Sequence, residues 1–229
     1  MNLITIGDLH GSAAWKRINP LKYDRVIFVG DYVDSGRYND EAIYANLKSL
    51  IQWKEKLPDR IVLLWGNHDL AYFYGGHERH YCSGFRPDML SRLFSFYTHY
   101  RSYFQAAFQI NNYLWTHAGV VQRWFDHCIG SEVLPSDQNL AATLNRLFDQ
   151  YYEPLYYVSV IRGGVNEDGG IFWAHRTETL EDPLKGYHQI VGHSQTHEGI
   201  VVADHFGPDT SVTYVDCLTT SPEFYKLEI

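Results

Sequence analysis

The sequence predicts an α/β fold, a four-layer sandwich of two mixed β-sheets flanked by helices. Three continuous apolar runs near the start of the chain each end in glycine followed by a polar residue, at Gly7-Asp8, Gly30-Asp31 and Gly66-Asn67. Apolar strands that alternate with helical periodicity are typical of a parallel sheet. Residues 188–229 instead alternate short strand-like runs with turns, which predicts a second, partly antiparallel sheet.

The first part of the chain predicts strands separated by helices. A short helix or turn over 12–20 follows the first strand. Asn39 and the two acids after it cap a helix over 40–56, whose apolar residues recur at three- and four-residue steps until Pro58 ends it. The predicted strands lie at about 3–6, 25–29 and 60–66.

Residues 70–110 are crowded with aromatic side chains. Their helical spacing predicts one long amphipathic helix that begins near Pro87 and continues to Phe108. We interpret this segment as a helical layer packed on the sheet; a lid or base-stacking surface over a pocket is the alternative. His77 and His80 lack a strand-end position, so we do not expect them to bind metal.

The second part of the chain combines strands, helices and a loop-rich stretch. A strand ends at His117, helices are predicted over 121–127 and 139–150 with Asp137 as a possible cap, and residues 155–185 are rich in loops. We expect the final strands to share the second sheet. They begin at His188, Ile200, Val212 and Phe224.

Composition limits the classes of function. A chain of 229 residues with 45% hydrophobic and 20% charged residues predicts one globular domain over 1–229, with no apolar run long enough to cross a bilayer. The N-terminus has no features of a signal peptide, so we expect a cytoplasmic location. A formal charge of −8 disfavours binding to a nucleic-acid backbone. The three cysteines, at 82, 128 and 217, are too dispersed to predict a disulfide framework or a zinc site.

Polar residues at the ends of predicted strands form a candidate metal site. Because parallel strands end at one edge of a sheet, we expect these side chains to converge. Carboxylate, amide and imidazole donors without a thiolate suit manganese, iron or zinc. Six ligands are too many for one open catalytic metal, so we predict two metals that share a carboxylate, an arrangement suited to hydrolysis of phosphoesters. The six residues are Asp8, His10, Asp31, Asn67, His117 and His193.

These motifs resemble the signature of the calcineurin-like metallophosphoesterases. The chain is most similar to their phosphoprotein phosphatase branch and its small bacterial and phage relatives, which include serine/threonine phosphatases and diadenosine tetraphosphate hydrolases. The matching series covers most of the chain, in the family's order and approximate spacing. It consists of Gly7-Asp8-Leu9-His10-Gly11, Gly30-Asp31-Tyr32-Val33-Asp34, Gly66-Asn67-His68-Asp69, His117-Ala118-Gly119 and Gly192-His193.

The resemblance implies two divalent metals, most readily Mn²⁺ with Fe or Zn as alternatives. Asp8 and His10 would hold one metal, and Asp31 would bridge it to the other. The second metal would also be held by Asn67, His117 and His193. A metal-bound hydroxide would attack phosphorus.

The resemblance also implies the proton donor. His68 would be the general acid that protonates the leaving oxygen, and Asp34 would orient it. A cationic imidazole held by a carboxylate is suited to this task.

Three arginines are candidates for binding phosphate. The family usually reads Asp-Arg-Gly where this chain has Asp34-Ser35-Gly36, so the usual arginine is missing. Arg176 is our first candidate, because its motif resembles a Trp-x-Arg loop of the bacterial relatives. Arg162, beside two glycines, is the second, and Arg37 is the third. A planar guanidinium binds two phosphoryl oxygens at once.

Three functions remain open from the sequence. A metal-dependent phosphatase for phosphoserine or phosphothreonine proteins, or for a small phosphorylated molecule, is the leading hypothesis. A nucleotide-polyphosphate hydrolase of the diadenosine tetraphosphatase type is the closest enzyme alternative. A non-catalytic interaction module is disfavoured because every ligand and the general acid are present. The sequence does not determine the oligomeric state.

Overall fold

The computed structural model describes the backbone of residues 1–229 and every side chain except that of Arg79. It contains two mixed β-sheets flanked by helices, so the predicted fold class is confirmed. No helix within the described residues is both long and apolar enough to cross a membrane. In chain order the strands are β1 (Asn2–Ile6), β2 (Arg25–Phe28), β3 (Ile61–Leu64), β4 (Phe104–Gln105), β5 (Ala107–Ile110), β6 (Tyr113–Thr116), β7 (His188–Val191), β8 (Val201–Ala203), β9 (Ser211–Tyr214) and β10 (Tyr225–Glu228).

The first sheet has the strand order β10-β1-β2-β3-β4. Strands β1 to β4 are parallel, and β10 is antiparallel to β1 with Leu3 opposite Leu227. The second sheet has the order β5-β6-β7-β9-β8. Its three inner strands are parallel and its two edge strands antiparallel. In both sheets the parallel strands end at one edge, which is where the polar motifs lie.

The helices begin where the sequence offers a cap. Asn39 accepts a hydrogen bond from the backbone of Ala42 at the start of α1, and Asn139 caps α5 in the same way. A π-helical turn, Phe125–Ile129, extends α4. The helices are α1 (Asp40–Lys56), α2 (Asn67–Phe73), α3 (Leu90–His99), α4 (Gln122–Trp124), α5 (Leu140–Asp149) and α6 (Arg176–Glu181).

Alternate residues of the central strands enter two different cores. In β2, Val26 and Phe28 pack towards the helices, whereas Ile27 packs between the sheets with residues such as Trp115 and Ile190 of the second sheet. Because side chains alternate along a strand, a strand that is covered on both faces must be apolar throughout. This explains the continuous apolar runs. A hydrogen bond of 2.9 Å from Trp115 Nε1 to Thr5 Oγ1 also joins the sheets.

Three predicted elements were wrong in extent or place. The long helix ends at His99, and the chain then forms β4 and β5. Phe104 and Phe108 are four residues apart, a spacing that fits a strand as well as a helix, and Asn145 of α5 bonds the backbone of Ala106 and Ala107 at this point.

The last strand, β10, joins the first sheet beside β1 instead of the second sheet. The helix cap before α5 is Asn139 and not Asp137, whose carboxylate binds Arg146 and Thr143. The helix over 40–56 was predicted with the bounds that α1 has.

Candidate metal centre

The six predicted ligands lie in one cleft, where strands of both sheets end. Asp8 and His10 follow β1, Asp31 follows β2, and Asn67 begins α2 after β3. His117 follows β6 and His193 follows β7, so the second sheet completes the cluster. The first sheet alone therefore cannot form this site.

Sharp backbone turns aim these side chains into the cleft. His10, Asp31, Asp34 and His193 have φ angles of 42°, 52°, 59° and 61°, in the left-handed region that residues other than glycine rarely adopt. Such strained positions cluster at functional sites, where the surrounding structure holds them. The turns after the strands thus adopt unfavourable backbone conformations that place these side chains in the cleft.

One carboxylate oxygen of Asp31 is common to two groups of candidate ligands. Asp31 Oδ2 lies 3.8 Å from His10 Nε2 and 3.5 Å from His117 Nε2. Asp31, His117 and His193 form one group whose ligand atoms lie within 4.8 Å of one another, and Asp31, His10 and His68 form another. This position is the one that a bridging carboxylate requires.

The amide of Asn67 lies between two imidazoles. Its Oδ1 lies 2.8 Å from His117 Nε2 and 3.0 Å from His193 Nδ1, and its Nδ2 donates to Cys82 Sγ at 3.1 Å. The thiol therefore accepts from the nitrogen and leaves the oxygen facing the imidazoles. Oxygen is the amide atom that can bind a cation.

Backbone carbonyls orient two of the histidines. His10 Nδ1 lies 2.9 Å from the carbonyl of Val33, and His117 Nδ1 lies 2.8 Å from that of Val29. A carbonyl can only accept, so each Nδ1 donates its proton there, and this orientation turns each Nε2 towards Asp31. This is the usual support for a metal-binding histidine.

Unpaired buried atoms show that the cluster suits a cation. Asp8 Oδ1 and His193 Nε2 are buried without a hydrogen-bond partner among the described residues. Burial and the carboxylates of Asp216 and Asp31 raise the pKa of Asp8 well above its usual range. Burial also lowers the pKa of His193, which favours the neutral form that a metal ligand needs. Among the described side chains Asp8 is in neither tight group, but it lines the same cleft.

Asp31 titrates in the opposite direction to Asp8. Burial alone would raise its pKa, yet the imidazoles of His117 and His68 lower the pKa of Asp31 well below its usual range. The central carboxylate is therefore ionised and available to bridge two cations. Oxygen and nitrogen donors of this kind fit divalent transition metals.

Two glycines leave room for the carboxylates. A methyl group at Gly66 would overlap Asp31 Oδ1, and one at Gly192 would overlap Asp8 Oδ1. The backbone approaches the two carboxylates too closely for any other residue. These contacts explain why glycine precedes Asn67 and His193.

His68 forms a close pair with Asp34. His68 Nδ1 lies 3.0 Å from Asp34 Oδ2, and His68 Nε2 lies 4.0 Å from Asp31 Oδ2. Burial alone would lower the pKa of His68, but Asp31 and Asp34 raise it to about 9. Although His68 belongs to one of the tight groups, an imidazole that keeps its proton is a donor and not a metal ligand.

The structure favours a different arginine from the one that the sequence favoured. Arg162 lines the cleft beside the ligands and donates to Ser194 Oγ at 3.0 Å. Arg176, the first candidate, does not line the cleft; its guanidinium lies 5.0 Å from the ring centre of Tyr214, with Nη2 3.8 Å from Glu198. It begins α6, which packs on the outer face of the second sheet. The geometry therefore does not support Arg176 as the phosphate-binding residue.

The cleft has an inner and an outer cavity. The inner cavity, of about 260 Å³, is lined by Arg162 and by every candidate ligand except His117, which is fully buried. The outer cavity, of about 680 Å³, is lined by Asp34, by the exposed Arg37 and by polar residues of neighbouring loops. His68 and His10 line both cavities, so His68 lies at their junction.

Four residues near the site were not selected from the sequence. Asp69 accepts hydrogen bonds from the backbones of three residues and from Tyr97, and Tyr72 bonds Asp34. Asp216 lines the inner cavity, and burial raises its pKa to about 6. It follows β9, so the rule that polar residues at strand ends converge would have found it. Cys82 and Tyr72 carry no comparable signal.

The fold and the cleft define a two-sheet α/β protein with a candidate dinuclear metal centre. Its motifs are those of a known family. The chain belongs to the calcineurin-like phosphoesterase family, whose model matches residues 1–216. The resemblance that the five motifs indicated is confirmed.

The curated relatives are similar over one segment. The chain is 37% identical over 80 residues to the serine/threonine-protein phosphatase 4 catalytic subunit of Kluyveromyces lactis, a match that covers 31% of this chain and 25% of that protein. It is 35% identical over 77 residues to serine/threonine-protein phosphatase 7 of Arabidopsis thaliana, which covers 31% of this chain and 18% of that protein. The match thus spans a quarter or less of these relatives.

Solved structures resemble almost the whole chain. A cold-active protein-tyrosine phosphatase of a Shewanella species has a TM-score of 0.62 at 17% identity, over 99% of this chain and 75% of that one. A protein serine/threonine phosphatase of Saccharomyces cerevisiae has a TM-score of 0.51 at 17% identity, over 94% of this chain and 67% of that one. At this level of identity the similarity shows a shared fold.

Proposed function

We propose that this protein is a metal-dependent phosphatase that hydrolyses phosphomonoesters, on phosphoserine or phosphothreonine proteins or on a small phosphorylated molecule. The observation that carries the proposal is the position of Asp31. Its Oδ2 lies within 4.0 Å of the Nε2 atoms of His10, His117 and His68, between two groups of candidate ligands and beside a protonated imidazole.

Two divalent metals fit the donors in this cleft. We propose that Asp8, His10 and Asp31 hold one metal, and that Asp31, Asn67, His117 and His193 hold the other. Mn²⁺ is our first choice of metal for these oxygen and nitrogen donors, with Fe or Zn as alternatives. When bound, the metals would supply positive charge to the phosphoryl oxygens and lower the pKa of water.

The side chains around the metals divide the remaining tasks. Arg162 binds the phosphoryl oxygens, because it lines the inner cavity beside the candidate ligands and carries a guanidinium. His68 gives the proton on Nε2 to the leaving oxygen, while Asp34 holds Nδ1. The leaving group then lies in the outer cavity, since His68 is at the junction of the two cavities.

A nucleotide-polyphosphate hydrolase is the second candidate. The outer cavity of about 680 Å³ is large enough for a nucleoside. The aromatic segment gives this candidate less support than the sequence suggested, because Tyr72, Phe96 and Tyr97 are buried in the core. The segment is mainly a packed layer.

Hydrolysis of two esters tests the proposal. Protein stripped of metal and refilled with Mn²⁺ should hydrolyse p-nitrophenyl phosphate, and Asp31→Asn should abolish this turnover. Hydrolysis of the bis-ester would instead indicate a diesterase, and hydrolysis of a dinucleoside polyphosphate would indicate the second candidate. Absence of monoester hydrolysis while metal is demonstrably bound contradicts the proposal.

His68→Asn tests the general acid separately. Loss of a general acid lowers turnover by about 10²- to 10⁴-fold when the leaving group needs a proton, so the variant should fail mainly on alkyl phosphates. Its metal content should stay normal. His127→Asn, which alters an exposed histidine, is the matched control. Normal turnover of His68→Asn on an alkyl phosphate would remove His68 from this role.

A further inference from the structure

A hydrogen-bonded chain extends behind His68 into the core. The hydroxyl of Tyr72 donates to Asp34 Oδ1, while Asp34 Oδ2 pairs with His68 Nδ1 at 3.0 Å. Each oxygen of the carboxylate thus has its own partner. His68 and Tyr72 are four residues apart on α2, so they lie on the same face of that helix and reach one carboxylate together.

Tyr72 is itself held in one orientation. It is buried with 0% exposure, and its ring stacks on Phe85 with 4.8 Å between ring centres. The backbone N–H of Arg86 donates to the Tyr72 oxygen at 2.8 Å. Because the oxygen accepts from Arg86, its proton is directed to Asp34.

Arg86 also fixes the loop that carries Asp34. Its guanidinium binds the carbonyls of Ser35 and Tyr38 and the carboxylate of Asp40. The same residue therefore orients the Tyr72 hydroxyl with its backbone and anchors the loop with its side chain. Asp34, whose φ angle is 59°, is constrained from both directions.

We propose that Tyr72 is a positioning residue for the proton donor. It holds the Asp34 carboxylate so that the His68 imidazole presents Nε2 to the leaving oxygen in the outer cavity. Tyr72 does not line either cavity of the cleft and does not touch substrate. The inference rests on the proposed function, to which it adds a third member behind the acid and its carboxylate.

A structural role for Tyr72 predicts different behaviour. If the hydroxyl only stabilised the core, its loss would affect all substrates alike through the amount of folded enzyme. If it positions the acid, the loss depends on how strongly the leaving group needs a proton. The dependence on leaving group therefore separates the two roles.

Tyr72→Phe is the test, because it removes one oxygen and keeps the ring. Turnover on an alkyl phosphate should fall by about 10-fold, the effect of losing one hydrogen bond of ordinary strength, with the Michaelis constant unchanged. Turnover on p-nitrophenyl phosphate, whose leaving group departs without a proton, should stay within about 2-fold. Metal content, measured by elemental analysis, should equal that of the wild type.

Tyr74→Phe is the matched control. Its hydroxyl also makes a hydrogen bond, of 2.6 Å to the Tyr156 hydroxyl, but that bond lies outside the cleft. The control should leave the ratio of the two turnover rates unchanged. Phe85→Leu is a second variant, which loosens the ring of Tyr72 without removing the hydroxyl and should change the ratio in the same direction as Tyr72→Phe.

Each outcome supports or overturns the inference. An equal loss of turnover on both esters, or no loss on the alkyl ester, overturns it. If Tyr72→Phe does not fold, Phe85→Leu decides, and a wild-type ratio of the two turnover rates in that variant also overturns the inference. If His68→Asn is selective for the alkyl ester and Tyr72→Phe is not, the inference alone fails. If the metal-loaded wild type hydrolyses neither ester, the proposed function fails and the inference falls with it.

Discussion

Asp69→Asn should strongly destabilise the protein, because Asp69 connects the loops that carry candidate metal ligands. Its Oδ2 accepts from the backbones of Asp31 at 2.8 Å and Gly66 at 3.0 Å. Its Oδ1 accepts from the backbone of Tyr32 at 3.0 Å and from the Tyr97 hydroxyl at 2.5 Å. An amide nitrogen cannot accept, so asparagine loses two bonds in either orientation.

The magnitude follows from the number of bonds that are lost. Burial raises the pKa of Asp69 to about 7, so the comparison is made above that pH, where the carboxylate is ionised. A hydrogen bond to a charged group contributes about 1.5–3 kcal/mol, so two lost bonds cost about 4 kcal/mol of a typical total of roughly 5–15 kcal/mol. For a chain of this size the unfolding temperature should fall by roughly 8–16 °C. Tyr97→Phe removes only one of the four donors and should cost about 1.5 kcal/mol.

Urea unfolding of both variants, without added metal, measures these costs. The free energy of unfolding should rank wild type above Tyr97→Phe and Tyr97→Phe above Asp69→Asn. Metal affinity should fall in Asp69→Asn, because its backbone bonds hold the segment that carries Asp31. If Asp69→Asn lost no more stability than Tyr97→Phe, the argument from the bond count would be refuted.

Two further predictions concern the cleft. Arg162→Ala should raise the Michaelis constant for a phosphomonoester by about 10- to 100-fold, because a charge-assisted contact is lost. Arg176→Ala should change the Michaelis constant by less than about 2-fold. Steady-state kinetics measures both variants, and a larger effect of Arg176→Ala would contradict the assignment of Arg162. Saturating Mn²⁺ should raise the unfolding temperature by roughly 5–11 °C, since a ligand at 100 times its dissociation constant contributes about 2.7 kcal/mol. Thermal scans with and without a chelator measure the rise, and Asp31→Asn, as the control, should lose most of it.

The sequence predicted the gathering of the candidate ligands well, for a general reason. Parallel strands end at one edge of their sheet, so polar residues after β1, β2 and β3 must meet. Strand order therefore accounts for the convergence of Asp8, His10, Asp31 and Asn67, whereas the role of His68 as proton donor was implied only by the family resemblance. The bounds of α1 followed from local signals, the cap at Asn39 and the stop at Pro58.

Features that depend on tertiary packing escaped prediction. Arg176 fits a family-like motif, but the chain places Arg162 in the cleft and lays Arg176 on Tyr214. The sequence does not distinguish Tyr72 from other aromatic residues of the core, because its hydrogen bond to Asp34 depends on the folded structure. The four-residue spacing of Phe104 and Phe108 fits the period of a helix and that of a strand. Only the pairing of β4 with β3 shows that Phe104 belongs to a strand.

The two glycines that face the carboxylates affect how tolerance to mutation would be distributed along this chain. Gly66 and Gly192 carry no group that could bind a metal or move a proton, yet any side chain there would displace Asp31 or Asp8. A scan that ranks positions by lost activity would place them among the most sensitive residues of the protein. Sensitivity to mutation at these two positions would arise because the carboxylates fill the space that a side chain would need.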